Sequence, residues 1–544
     1  MTAALEHRLT PESKVFFLHM PKAAGTSFNY FVENHFAQAE VCPHFHNDPL
    51  CEVPRADVQR YRYYRGHIYY DLLRQLLDQK PISLTMLRDP VERFISQFAH
   101  ILRHADVWGP YRTPEIRERL AGLTLEAFVE DANHDLAIWN KDVQADLLGS
   151  RMELVFAASE SPLPKALNKA STVAAPDLPN LKSRLTDFEF VGLTERFRES
   201  VWLLCYLFGW RPLYDFQPIN VSEHKPPRPP LAAAVHDKIS DLNALDLALY
   251  QHGQQLFDQR LERMSHDLLE KYGTRADAHR SLPLAPDAVQ GLLEHHYRQR
   301  FSEANHPQRF FQINGGDGLS GSGWHLPIKQ RKFGYVRWTG PTPVSSIDLH
   351  LDNGSDYELI FKTISAANFA GVQALRLKVN GQPIPILEKY KCLEASIFVA
   401  QIPQAAVALD PLLTRFTFET DSEALTENYV PTDDIQRPTG VLFSWLDVRP
   451  IPDSDQTIDS SLSHRINLQA RILETLESEL MVFDTTFAQY QAMVAERDRA
   501  IAFLQNELGH AQAQTAMVTR SKFWTLRNYF HTIRSWFQKE KGER

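Results

Sequence analysis

Cysteine is almost missing from this chain. Four residues, Cys42, Cys51, Cys205 and Cys392, stand in 544, too few to staple a fold and in keeping with a reducing compartment. Also missing is any run of about 18 apolar residues, the length a spanning helix needs. The stretch Met1 to Lys14 is polar and lacks the apolar segment of an export signal. These absences set the expectation of a cytoplasmic chain that does not span a bilayer. Nor is there an excess of positive charge: a formal net charge of −9 argues against a general nucleic-acid binder, while leaving room for a local basic patch that holds a phosphorylated ligand. What is present is the composition of a folded globular protein, 43% hydrophobic and 23% charged, with length for roughly two to four domains.

From Val15 to about Gly273, short apolar runs (Val15 to Met20, Ile82 to Leu87, Phe188 to Leu193) alternate with longer amphipathic stretches. That rhythm predicts an α/β domain with a three-layer, parallel sheet over residues 1–275. Ser222 to Pro230, rich in proline and containing Lys225, reads as a loop, and a helix is expected from Val235 to Tyr272. A helical connector over 276–308, with its helix at Asp287 to Ala304, leads into Gly-rich turns and alternating segments over 309–452. Strands are expected at Ser346–Leu351, Tyr357–Ile364, Ala374–Val379, Ser396–Ile402, Arg415–Thr420 and Gly440–Val448, with Asn380-Gly381 as a tight turn. An all-β, sandwich-like domain follows. Over 453–515 the series Leu473, Leu476, Leu480, Phe483, Phe487, Tyr490, Val494, Ile501, Leu504 and Leu508 recurs at steps of three and four, a coiled-coil seam that predicts a homo-oligomer. The tail 516–544 is a basic amphipathic segment suited to peripheral contact with an anionic membrane or to docking on protein.

Two motifs carry the chemistry. Leu18-His-Met-Pro-Lys-Ala-Ala-Gly-Thr-Ser-Phe28 is a strand running through a small-residue loop into a helix. A helix N-terminus offers unpaired N–H groups and a positive dipole end. Gly25 lets the backbone approach a phosphate, Thr26 and Ser27 add hydroxyls beside Ala24, and Lys22 brings the charge. Lys22 precedes Gly25 rather than following it, which excludes the loop of nucleotide triphosphatases. The second motif, Thr85 to Phe98, also joins a strand to a helix, with Asp89 as N-cap and Pro90 as first helical residue. Arg88 then stands at the strand end with a fork of donors for a phosphate, and Ser96 two turns into the helix adds a hydroxyl.

Together these motifs resemble the 5′-phosphosulfate loop and the 3′-phosphate motif of sulfotransferases that use 3′-phosphoadenosine-5′-phosphosulfate (PAPS). The likeness points in particular to the branch that includes heparan sulfate 2-O-sulfotransferase and its bacterial relatives. Arg65-Gly-His-Ile68 is similar to that branch's Gly-His segment and nominates His67 as catalytic base. Asn140, Gln144 and Phe190 to Glu195 are similar to segments that build the site wall and the last core strand. The resemblance implies an enzyme that moves a sulfonate group from PAPS to a hydroxyl of a carbohydrate or polysaccharide, without a metal. Its donor-binding set is Lys22, Ala24, Gly25, Thr26, Ser27, Arg88 and Ser96; His67 takes the acceptor proton and Lys22 stabilises the leaving phosphate. Alternatives are a glycolipid, small-metabolite or tyrosine acceptor, or a nucleotide-sensing scaffold whose sandwich binds glycan. Cys42, His44, His46 and Cys51 are rival zinc ligands, but their spacing matches no common zinc module. Trp324 and Trp338 are either sugar-stacking platforms or core residues of the sandwich, the second being favoured.

Overall fold

The computed structural model describes residues 5–451 apart from segments within 105–121 and from 131–139, 152–175, 214–230, 274–282, 392–393 and 430–435. Beyond 451 it describes parts of 466–477 and 496–505, with Tyr529 and Thr532. Four strands, β1 (Val15–Leu18), β2 (Tyr63–Gly66), β3 (Ile82–Leu87) and β4 (Phe190–Leu193), form an all-parallel sheet in the order β2-β1-β3-β4. Phe16, Phe17, Leu18, Leu84, Met86 and Val191 are fully or almost fully buried. Such continuous apolar strands are what a parallel sheet covered on its faces requires. The chain leaves β1, pairs β2 on one side of it and then crosses to β3 on the other. The carboxyl ends of β1 and β3 therefore flank the point where the order reverses, the crevice in which open α/β sheets bind ligands.

The helices that position this crevice are α1 (Gly25–Glu33), α2 (Pro90–His104), α3 (Val143–Gly149), α4 (Phe197–Phe208), α5 (Ala244–Tyr272) and α6 (Pro286–Ala304). Phe28 of α1 packs on Phe17 and Phe190, with ring centroids 4.7 and 5.1 Å apart. The helix expected from Val235 to Tyr272 is broken at Asn243, between Ala233–Leu242 and α5. Asn243 is buried there, its side-chain oxygen accepting from Asp142 N and its amide nitrogen donating to Ile239 O. Strand β2 carries no apolar run that would announce it, because Arg65 interrupts it. Glu33 pairs with that guanidinium at 2.6 Å, so a charged residue sits in a buried strand.

Strands resume at Phe311–Asn314 and continue to Leu442–Pro450 in two main antiparallel sheets beside a two-stranded one, Thr426–Tyr429 with Gln436–Thr439. The larger is built on Tyr357–Thr363, Ser396–Ile402 and Leu442–Pro450, the smaller on Val344–Leu349, Arg376–Val379 and Thr414–Glu419. Trp324, Phe361, Phe418 and Phe443 interlock between the sheets. Trp324 donates to Ser346 O at 2.9 Å, and both Trp324 and Trp338 are about 95% buried; both are core residues rather than sugar platforms.

This β domain docks on the first through α1 and α6. Asn34, just past α1, donates to Trp324 O, accepts from Arg337 and, through its carbonyl, from Leu319 N. Tyr30 donates to His325 Nδ1, whose ring is fixed because Nε2 donates to Pro438 O. Tyr297 of α6 donates to Asp348 at 2.7 Å. The coiled coil expected over 453–515 lies mostly outside the described residues, as does most of the tail. The described start of that stretch packs on the larger sheet of its own chain: Leu468 and Ile472 bury against Ile360, Ile397, Val399 and Trp445, and Arg471 pairs with Asp447.

Candidate active site

The first motif forms a tight loop at the end of β1. Lys22 and Ala24 both lie in the left-handed region, at φ 64° and 56°, a conformation that non-glycine residues adopt at a cost. The two residues turn the chain sharply just before the helix, and Ala23 N is taken up within the turn, donating to Met20 O at 3.3 Å. α1 starts immediately afterwards at Gly25, and no side chain caps it. Its first-turn N–H groups have no partner within the helix itself. Gly25 is required here for space: a Cβ would stand 1.9 Å from His19 Cδ2. Thr26 is partly exposed and Ser27 buried.

Arg88 follows β3, and its Nη1 donates to Lys22 O at 2.9 Å, so the two motifs touch across the reversal of strand order. Its other end group stands 3.8 Å from Glu92. Asp89 caps α2 by accepting from Val91 N and Glu92 N, both at 3.0 Å. Ser96, seven residues into α2, is partly buried and makes no hydrogen bond among the described residues. The Arg88 backbone is held on both sides by one amide side chain: Gln144 accepts from Arg88 N and donates to Arg88 O, each at 3.0 Å. Gln144 is in turn anchored by Asp246, which accepts from Gln144 N and Ala145 N. Asp246 faces Arg93 at 3.9 Å, both side chains fully buried. Burial pushes its carboxyl up to about 6 against the opposing pull of Arg93. Asp246 and Arg93 escaped sequence reasoning because their partners lie about a hundred residues apart or more, and the helix expected from Val235 to Tyr272 placed Asp246 in mid-helix rather than at the start the structure gives it.

His67 follows β2. Its Nδ1 donates to His19 O at 2.7 Å, which fixes the tautomer and leaves Nε2 with its lone pair. His67 N donates to Phe45 O at 2.9 Å. The ring packs between His19 and His46, with centroids at 4.6 and 5.6 Å. Burial lowers its pKa to about 4, with the positive ends of His46 and Lys22 acting in the same direction, so the ring is neutral at physiological pH. His19 is lowered well below its ordinary value by burial and then by His67.

The Cys and His residues weighed as zinc ligands divide otherwise. Cys42 and Cys51 are buried in the hydrophobic core, and burial raises both thiols, Cys51 to about 11. Lys225 lies outside the described residues. A cavity of about 190 Å³ lined by His35, Trp210 and Arg300 opens at the far end of α1 and contains none of the motif side chains.

Residues 6–251 match the sulfotransferase family. The chain is 30% identical over 194 residues to heparan-sulfate 6-O-sulfotransferase 3 of Homo sapiens, covering 32% of this chain and 38% of the relative. It is 30% identical over 201 residues to heparan-sulfate 6-O-sulfotransferase 1-B of Danio rerio, covering 33% and 44%. A protein-tyrosine sulfotransferase of Arabidopsis thaliana is 24% identical over 261 residues, covering 38% and 52%. The chain thus spans about half or less of the length of these curated relatives. Their names specify 6-O and tyrosine transfer, and the likeness stands at the level of the sulfotransferase family rather than of the 2-O branch.

Proposed function

We propose that the chain transfers a sulfonate group from PAPS to a hydroxyl of a carbohydrate. The observation that carries this reading is the hydrogen bond from His67 Nδ1 to the His19 main-chain carbonyl, which puts the lone pair of a neutral ring on Nε2, beside the loop that bears Lys22. The uncapped start of α1, the left-handed turn at Lys22 and Ala24, and Arg88 suit the phosphates of such a donor. PAPS supplies an activated sulfonate whose bond to the 5′-phosphate is ready to break. His67 Nε2 takes the proton of the acceptor hydroxyl as its oxygen bonds to sulfur. Lys22 and the α1 amides hold the negative charge that gathers on the departing phosphate oxygen, where preorganised donors act most strongly. Arg88, fixed by Gln144, orients the donor through its 3′-phosphate, with Ser96, Thr26 and Ser27 as hydroxyl contacts.

The test is transfer of labelled sulfonate from PAPS to a series of polysaccharides and oligosaccharides, with a tyrosine peptide beside them because one relative bears that name. His67→Asn is expected to reduce turnover by about 10²–10⁴, the usual contribution of a general base, while PAPS still binds. Absence of PAPS binding to the wild-type chain would sink the reading.

A further inference from the structure

The segment from Val41 to Asn47 runs beside β2 and its continuation as an irregular parallel partner. Val41 bridges Tyr63 and His46 bridges His67; Cys42 N donates to Tyr63 O at 2.8 Å, and Tyr69 N donates to Asn47 Oδ1 at 3.0 Å. In this segment Phe45 is tied most closely to His67, whose amide bonds to its carbonyl. Gly66, at φ 137°, permits the approach, since a Cβ there would stand 2.1 Å from Phe45 O. One face of the Phe45 ring rests on the Arg65 guanidinium, with Cζ 3.9 Å from the ring centroid. Arg65 is itself immobilised by Glu33 and by Cys42 O. Yet 43% of Phe45 remains exposed.

Single apolar side chains on a surface are ordinary. Phe45 differs in being fixed from below by a buried ion pair and from behind by a backbone bond to the candidate base. A flat ring with few rotatable bonds, already ordered, loses little entropy when a partner stacks on it. The C–H face of a pyranose is the partner that such a ring suits. We propose that Phe45 is the acceptor platform: a saccharide ring stacks on its open face and is thereby held with a hydroxyl toward His67, Arg65 acting as the positioning residue beneath. This assignment rests on the sulfonate-transfer reading and narrows its acceptor to a ring-bearing sugar.

The experiment is steady-state transfer by the full chain from PAPS to a desulfated heparan oligosaccharide, with donor affinity measured separately. Phe45→Ala is expected to raise the acceptor KM about tenfold, in line with loss of one aromatic stacking contact, while kcat and the donor Kd stay unchanged. Phe45→Leu, which keeps apolar bulk but loses the flat face, should behave like Phe45→Ala, and Phe45→Tyr should restore the wild-type KM. Thermal melting of each variant separates unfolding from lost binding. An unchanged KM in both Phe45→Ala and Phe45→Leu overturns the platform and leaves sulfonate transfer standing. Wild-type transfer to the tyrosine peptide but to no saccharide overturns the platform together with the carbohydrate reading.

Discussion

At the scale of single residues, His67 and His46 make a coupled pair whose effect is readable in a pH profile. The pKa of His67 is lowered to about 4 by burial first, with positive charge on His46 and Lys22 disfavouring a second charge nearby. Since the base must be unprotonated, activity falls as pH drops through that value and is retained above it. His46→Ala removes one neighbouring positive charge and admits water, and both changes raise the His67 pKa toward its ordinary value of about 6.5. The acidic limb of kcat/KM is therefore expected to move to higher pH, with the plateau unchanged; a limb that stays in place would show that His46 does not act on His67. His67 could be nominated from a local pattern, and Lys22 and Arg88 likewise, because each belongs to a contiguous motif. The supports Gln144 and Asp246 could not be ranked that way. Gln144 matters through its bonds to Arg88, 56 residues away, and Asp246 through its bond to Gln144, 102 residues away.

At the scale of elements, α1 begins at a position with no room for a side chain. Gly25→Ala would drive a methyl group into the His19 imidazole, a ring already packed on Phe17 and His67. Overpacking of this kind costs about 1–3 kcal/mol, and the His19 ring is already held against those two neighbours. The expected outcome is a folded protein, by circular dichroism, whose PAPS affinity is lowered about tenfold or more; unaltered affinity would mean that the loop adapts. Strands β1, β3 and β4 were legible as apolar runs between helical stretches. So were the strands at Tyr357, Ser396 and Leu442, each within about three residues of its observed bounds. β2 was hidden by Arg65, whose charge is neutralised by Glu33 from another element. The break at Asn243 was hidden as well, since asparagine in a helical pattern looks unexceptional until Asp142 appears beside it.

At the scale of the whole molecule, the β domain is more than an appended module. α1 has the parallel sheet on one side and β-domain residues on another, through Tyr30 to His325 and through Asn34 to Trp324, Arg337 and Leu319. None of this could be read from the sequence, because each contact joins residues nearly three hundred positions apart. Burial holds His325 neutral, its pKa lowered to about 4, so its Nδ1 is an acceptor. Tyr30→Phe would leave that nitrogen buried without a donor, at about 1–3 kcal/mol. The expected result is a lower denaturation midpoint in the full chain together with weaker PAPS binding, read by calorimetry. A stability loss with unchanged PAPS affinity would show that the brace does not reach the loop.

The lock on Arg88 also bears on how the protein comes into being. Gln144 grips the Arg88 backbone, and Asp246 grips Gln144, so the anion-holding corner draws on three stretches that leave the ribosome at widely separated times. A nascent chain that has reached Phe98 already possesses both signature motifs, yet Arg88 is not secured until Asp246 has emerged and α5 has docked. The donor corner is thus completed only as the first domain nears its end, somewhat before the middle of the chain, and only a chain that has built most of that domain acquires it.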